Sequence, residues 1–587
     1  VEEVAPPRRW RGCVVMRPAF RRGRPCTILP PGHLVSGYPH PRPSVVGARV
    51  GGGRYRGGVP SLSRRASVRP RALRASAALA ALALLVTGCV AGKQATPVSD
   101  GGPTHSSELP ANFDALLPDG LDPAFREYYA QQVTWDACIG GSLECATVSI
   151  PVSWRDASLG SASLEVVRSP ALGERAGSIL VNPGGPGGSG VDFIETAVGL
   201  VSRDVRQEYD LVSFDPRGVG RSTPVECVDD DVLDRMTQAD HDLRTEEGRA
   251  SFAAEQKTFA DGCLERTGTL LGNVDTASAA HDMDLLRVLV RDEQLHYLGY
   301  SYGTQLGAAY AGQFPDKVGR LVLDAAVDIT QTSDEASLGQ AKGFELALRN
   351  YVTACQSGPQ CPLTGDVDSG LQQIHDLTER ALADPLPTDD DARPLTRNLA
   401  FYGIAVALYS DDSWPYLTAA LRLALVDGDG TGLLQLADMY NDRKPDGTFG
   451  SNSFSAFRAV GCADSRGSTD LATMEAERLK ILEVAPTLGE SFAFGGLVCA
   501  DWPTPVVEID YDISAKGAAP IVVIGTTGDP ATPYESAEAL AGTLESATLL
   551  TWEGEGHTAY GRSNSCIKEA VDAYFLDGTV PAEGLVC

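Results

Sequence analysis

Residues Leu295 to Gly307, LHYLGYSYGTQLG, constrain the fold of this chain more than any other stretch. A short apolar run ends in Gly299-Tyr300-Ser301-Tyr302-Gly303, and a helical pattern of small residues (Leu306, Ala308, Ala309, Tyr310) follows at once. G-x-S-x-G between a strand and a helix forms a tight, strained turn that lifts the serine hydroxyl above a sheet as a nucleophile. Glycines two residues either side keep Cβ atoms out of the crossing. The next backbone N–H, that of Tyr302, is aimed at the charge developing on an attacked carbonyl oxygen. The motif occurs once in a chain with 62 glycines.

A serine hydroxyl is a poor nucleophile at neutral pH, so it needs a base, and the base needs an orienting anion. The chain has 8 histidines. With His33, His40 and His105 upstream of the fold, five remain, and only His557 lies in a glycine-flanked loop just past a terminal strand, read at 547–552. His296, inside the pre-elbow strand, reads as a core or sheet-edge histidine. Asp529, in Gly528-Asp529-Pro530 after a strand at 520–525, is the favoured acid, with Asp324 at the end of the strand at 318–323 as the alternative. The Thr532 hydroxyl either buttresses Asp529 or caps the following helix. The order Ser301, Asp529, His557 is the α/β-hydrolase order.

Two further loops belong to the same edge. A buried strand at 177–181 runs into Asn182-Pro183-Gly184-Gly185-Pro186-Gly187-Gly188-Ser189-Gly190. Such glycine density brings bare backbone N–H groups close to a ligand. The Gly185 N–H is assigned as the first oxyanion donor, with Gly184 the alternative and Tyr302 the second donor. A phosphate-binding loop is the rival, but G-x-x-x-x-G-K-[ST] is absent and no lysine is near. After a strand at 209–214 comes DPRGVGRS (215–222), read as a buried Asp215–Arg217 brace in preference to a substrate contact. With serine at the elbow the chemistry is acyl transfer, requiring no metal or cofactor.

Charge divides the chain. Residues 1–88 hold 16 Arg, no Lys and 2 Glu, a net of +14, so 89–587 carry −42 of a total −28. An acidic body argues against nucleic acid as a partner. Arg69, Arg71 and Arg74 precede an apolar run, Ala75 to Val86, and then Thr87-Gly88-Cys89. That is a secretory signal, too short to span a membrane. Small residues before a cysteine resemble the lipobox of bacterial lipoproteins, which implies Cys89 as a lipidated N-terminus and membrane anchor. Ten further cysteines, an even number, read as disulfides in an exported chain. Pairing sequence neighbours (138–145, 227–263, 355–361, 462–499, 566–587) is the simplest arrangement; no C-x-x-C or H-x-x-x-H spacing supports a metal.

The expected organisation follows from these signals. Residues 1–67 are an upstream extension foreign to the fold, 68–88 a lipoprotein-type signal and 89–134 a tether with an N-terminal segment. The catalytic domain spans 135–329 and 516–587, interrupted at 330–515 by amphipathic helical patterns such as 340–355, 395–409, 414–426 and 470–484. An insertion there, after the sixth strand, is expected to form a cap over the edge that carries the catalytic loops. The fold class is α/β, with a mostly parallel eight-stranded sheet flanked by helices, and a monomer is expected.

NPGGPGGSG, FDPRGVGRS, YLGYSYGT, FPDKVGRLVLDAAVD, GDPATP and GEGH together resemble the exported tripeptidyl aminopeptidase and proline iminopeptidase-related branch of α/β-hydrolases. The likeness spans about 135–329 and 516–587, and GCADS (461–465) and CADWP (499–503) extend it weakly through the cap. It implies removal of short peptides, such as tripeptides, from free N-termini. The chain departs at Asn182-Pro183, where proline iminopeptidases begin the loop with His-Gly, which weakens a single-residue reading. An aminopeptidase must hold the α-ammonium group of a peptide substrate, and Asp464 and Asp501 are the candidate carboxylates. A carboxylesterase of the same fold is the alternative activity, and a non-catalytic envelope lipoprotein the alternative of a different class.

Overall fold

Strand burial sets the architecture. The computed structural model describes Leu109 and residues 112–587. The upstream extension, the signal, Cys89 and most of the tether lie outside the described residues. Strands β4 (Gly177–Asn182) and β5 (Tyr209–Phe214) are buried at every position. β6 (Leu295–Tyr300) and β7 (Val318–Asp324) are nearly so. Continuous apolar runs of this kind are what a parallel sheet covered on both faces requires. β2 (Leu143–Pro151) and β3 (Ser161–Ser169) instead mix buried and partly exposed positions. They pair antiparallel with each other, and β3 does so with β5.

The sheet has ten strands in the order β1-β2-β3-β5-β4-β6-β7-β8-β9-β10. Here β8 is Ile521–Gly528 and β9 is Ala547–Glu555, and β4 through β9 run parallel. The two strands beyond the expected eight are short edge pieces, β1 (Asp136–Cys138) and β10 (Leu585–Val586). Segments of that length carry no readable periodicity. Disulfides pin both: Cys138–Cys145 closes the β1–β2 hairpin, and Cys566–Cys587 ties the end of β10 to the final helix Ser565–Asp577. The other three bridges, 227–263, 355–361 and 462–499, also join sequence neighbours, as expected.

Between β7 and β8 the chain is helical. Its longest helix, Ser333–Ser357, starts seven residues before the periodic pattern begins, because Thr332 and Glu335 form a reciprocal capping box. Helices Val367–Ala383, Arg397–Leu408 and Thr431–Tyr440 bury Ile374, Leu377, Leu399, Ile404 and Leu433 in a core of their own. Helix Ser453–Asp464 leaves that core and packs into the core under the sheet through Ala459, Val460 and Ala463. The insertion is thereby fastened to the sheet, and the two fall in one compact unit.

Candidate active site

Ser301 occupies the crossing between β6 and the helix Tyr302–Gln313 with φ 58° and ψ −128°. A side chain in that region is strained, and the surroundings must enforce it. They do so through the backbone. The Ser301 N–H donates to the Asp324 carbonyl (2.9 Å), and the Ser301 carbonyl accepts from Thr304 N–H (2.8 Å) and Oγ1 (2.6 Å). Glycine at 299 is obligatory, since a Cβ there would stand 2.4 Å from the Gly303 carbonyl oxygen.

Strand register brings the loops of the other residues to the same edge, and among the described residues no hydrogen bond joins Ser301 Oγ to His557. Tyr300 pairs with Asp324, Asp324 with Ile524 and Ile524 with Leu550, so the loops after β6, β7, β8 and β9 leave one edge. Asp529 follows β8 and is 1% exposed. Its carboxylate accepts from Ala531 N–H (2.9 Å), Thr532 N–H (3.0 Å) and Thr532 Oγ1 (3.0 Å). His557 Nδ1 lies 2.9 Å from both Asp529 oxygens. Thr532 therefore buttresses the acid and leaves the following helix without a side-chain cap. The Gly556 N–H donates to the Gly528 carbonyl (3.1 Å), which ties the two loops together.

Asp324, the alternative acid, has other work. It is fully buried, and its carboxylate accepts from the backbone N–H groups of Ala559 (3.0 and 3.1 Å) and Tyr560 (2.7 Å). It fixes the loop that carries His557 and makes no bond to the imidazole. Burial pushes its carboxyl up to about 7, against the lowering effect of those N–H donors.

The glycine loop lies against the elbow. A Cβ on Gly184 would meet Tyr300 O at 2.4 Å, Ser301 Cβ at 2.9 Å and Tyr302 N at 3.1 Å. The Gly184 N–H donates to Asn182 Oδ1 (2.9 Å), whereas the Gly185 N–H has no partner among the described residues. The Tyr302 N–H, first in its helix, has no intrahelical acceptor. Gly185, Ser301 and Tyr302 line a cavity of about 680 Å³, together with residues of the helical insertion that include Phe344, Tyr409 and Phe457.

Other expectations are revised. Asp215 and Arg217 are both buried braces, but not of each other. Asp215 accepts from Ser189 Oγ (2.6 Å), Val191 N–H (3.0 Å) and Arg221 N–H (2.8 Å). Arg217 forks onto Asp282 (2.6 and 2.7 Å), both side chains fully buried. Asp464 and Asp501 are not themselves in the cavity lining, although Gln305, which is, donates to Asp464 (3.4 Å). Asp501 sits in an exposed turn. Asp464 accepts from Thr276 N–H (2.8 Å) and Oγ1 (2.5 Å), and Thr276 Oγ1 in turn accepts from the Tyr302 hydroxyl (2.6 Å). His296 is the structural histidine expected: Nδ1 accepts from Arg320 N–H (3.0 Å), and burial lowers its pKa to about 4.

Sequence reasoning missed Tyr409. Its carbonyl accepts the His557 N–H (2.9 Å), and its ring stands edge-on to the imidazole, centroids 5.3 Å apart at 84°. Nothing in its neighbourhood (ALYSDD) marks it, because the contact depends on where the cap lands.

The family described as TAP-like protein matches residues 485–587. Carboxylesterase B of Mycobacterium tuberculosis is 40% identical over 476 residues, 78% of this chain and 90% of its own. Tripeptidyl aminopeptidase of Streptomyces lividans is 29% identical over 538 residues, 89% of this chain and 98% of its own. Serine protease Hip1 of Mycobacterium tuberculosis is 36% identical over 550 residues, which cover 90% of this chain and 99% of that protein. A likeness that runs nearly end to end through sheet and cap alike means that the chain belongs to the tripeptidyl aminopeptidase-like branch of the α/β-hydrolase serine peptidases.

Proposed function

We propose that the chain is an exported serine exopeptidase that releases short peptides, tripeptides among them, from free N-termini, with Ser301, His557 and Asp529 as its triad. One observation carries the reading: His557 Nδ1 sits 2.9 Å from both oxygens of a buried Asp529, on the edge from which the strained Ser301 turn projects. Asp529 holds the imidazole in the tautomer whose Nε2 is free to act as base. Ser301 Oγ attacks the substrate carbonyl as His557 takes its proton. The Gly185 and Tyr302 N–H groups stabilise the oxyanion. His557 then protonates the departing amine, the acyl-enzyme forms, and a water deprotonated by His557 releases the peptide and restores Ser301. The chemistry needs no metal or cofactor.

The helical insertion lining the cavity favours chain ends over the middle of a folded protein, in keeping with the name of the Streptomyces relative. Five disulfides suit an oxidising compartment, and the signal with Cys89 suggests a lipid-anchored form on the envelope. Ester hydrolysis is the second reading, favoured by the carboxylesterase name of the relative at 40% identity.

The test is turnover of a free tripeptidyl anilide, its N-acetylated form and p-nitrophenyl butyrate, each beside Ser301→Ala. Cleavage of the free peptide alone is expected. Equal cleavage of the acetylated form removes the exopeptidase assignment, and ester turnover alone establishes the second reading.

A further inference from the structure

Most charged side chains around the cavity have a partner, either an opposite charge or a neutral hydrogen-bonding group. Asp240 pairs with Arg397 (3.3 Å), Glu255 with His241 (3.4 Å) and Glu490 with Arg478 (2.9 Å). Asp334 accepts from Ser468 N–H (3.4 Å), Asp328 from Thr330 Oγ1 (2.7 Å), and Arg466 donates to the Cys462 carbonyl (3.2 Å). Of the cavity-lining residues, Arg458 and Arg466 are the two arginines without a carboxylate partner, and of the two only Arg458 also lacks a backbone acceptor. Among the described residues its guanidinium has no carboxylate within 4.0 Å and no hydrogen bond. Its contact is with an aromatic face, 5.3 Å from the Phe454 centroid. Glu255 is the carboxylate that faces it, and that group is engaged with His241.

Its position in the fold gives this a meaning. Arg458 belongs to helix Ser453–Asp464, whose first turns press on the glycine loop. A Cβ on Gly187 would stand 2.8 Å from Ser453 O, 3.0 Å from Phe457 N and 3.1 Å from Ala456 Cβ. The next residue along is Arg458, in the wall of the cavity that Ser301 and Gly185 also line. Arg458 is partly buried with its guanidinium open to the cavity, and a cation so placed, with no counter-ion of its own, is available to an anion from outside. A guanidinium fork matches a carboxylate in a bidentate arrangement.

We infer that Arg458 is a carboxylate-binding subsite of the substrate cavity, selecting peptides that carry a carboxylate near the scissile bond. The inference rests on the reading of this cavity as the peptide site. The carboxylate has two sources, an Asp or Glu side chain in the released peptide or the free C-terminus of a short substrate. The strongly acidic body repels anionic peptides, so a local cation in the wall is what lets them settle at all.

The test uses two substrate series on the full chain. One is a set of free-N-terminal tripeptidyl aminocoumarins with Glu or Gln at each acyl position. The other is hexapeptides ending in a free carboxylate or an amide. Expected is a preference in kcat/KM for acid over its amide of about 10- to 100-fold in one series. That series names the source. In Arg458→Gln the acid-to-amide ratio falls to about 1, and Arg458→Lys retains part of it. Should Arg458→Gln fail to fold, the wild-type ratio and the lysine variant decide. Equal treatment of acid and amide by the wild type in both series overturns the inference, and so does an Arg458→Gln variant that loses both alike. A failure of the peptidase reading looks different, with no peptide turned over. Calorimetric binding of the Glu and Gln tripeptides to Ser301→Ala then still measures the preference.

Discussion

The sheet edge and the helical cap build their halves of the site in different ways. At the edge, each residue of the proposed triad sits in a loop fixed through its backbone. The Ser301 turn is clamped by the Asp324 carbonyl, Asp529 takes two N–H donors, and the His557 loop hangs on the Asp324 carboxylate. The cap contributes side chains instead. Phe344, Phe401 and Phe492 form an aromatic cluster, and Tyr402 stacks on Tyr440 at 5.0 Å. In the proposed site, strand register sets the chemistry, and side chains on helices set what reaches it. The two halves meet at Tyr409, which touches His557 through both its carbonyl and its ring. Substitutions at the edge therefore act on kcat, and substitutions in the cap act mainly on KM.

The largest effect expected separates the two buried aspartates of the edge. Asp529→Asn presents an amide to His557 and disfavours the productive tautomer, so kcat/KM falls about 10⁴-fold. Asp324→Asn keeps one oxygen for the Ala559 and Tyr560 N–H groups, so the fall is about tenfold. Steady-state kinetics of both variants on one peptide substrate decide the matter, and equal losses would remove the distinction between acid and brace.

A smaller effect is expected where the halves touch. Tyr409→Leu keeps the carbonyl contact and removes the ring that bears on the imidazole, for a loss of about 3- to 10-fold in kcat. If only KM rises, the ring is a wall of the cavity and has no part in steadying His557.

The smallest effect is one of stability. Burial pushes the Asp464 carboxyl up to about 7, with Asp275 adding repulsion and the Thr276 bonds opposing both. The folded chain therefore holds a proton between about pH 4 and 7 that the unfolded chain has released. The stability from this group is present at pH 4 and lost as pH rises to 7. Asp464→Asn does not titrate, so its Tm should gain on the wild type by about 2–4 °C over that range. A constant difference between the two melting curves would show that Asp464 stays ionised.

The loops of the edge were readable from sequence because each residue of the proposed triad sits in a loop with its own chemistry. Glycine at 299 and 303 marks a crossing that no Cβ fits. Gly528-Asp529-Pro530 and Gly556-His557 mark turns after apolar runs. The partners of buried charges were less readable. Arg217 reaches Asp282 rather than Asp215, a contact 65 residues away in sequence. Asp464, read from sequence as a candidate carboxylate for the substrate ammonium, bonds Thr276, 188 residues upstream. Helix Ser453–Asp464 has a weak apolar period, because half of its buried residues are alanine (Ala456, Ala459, Ala463). Those small residues let the helix pack closely, and so bring Arg458 into the cavity wall. Contacts that depend on how the cap settles on the sheet have no local signature.

The central claim is that Ser301 is activated by a histidine held on Asp529. It is tested most directly by treating the purified protein with a fluorophosphonate and mapping the adduct by mass spectrometry. Expected is a single adduct on Ser301, formed in the wild type and lost in His557→Ala. An adduct on a different serine, or labelling of Ser301 undiminished without the imidazole, would contradict it.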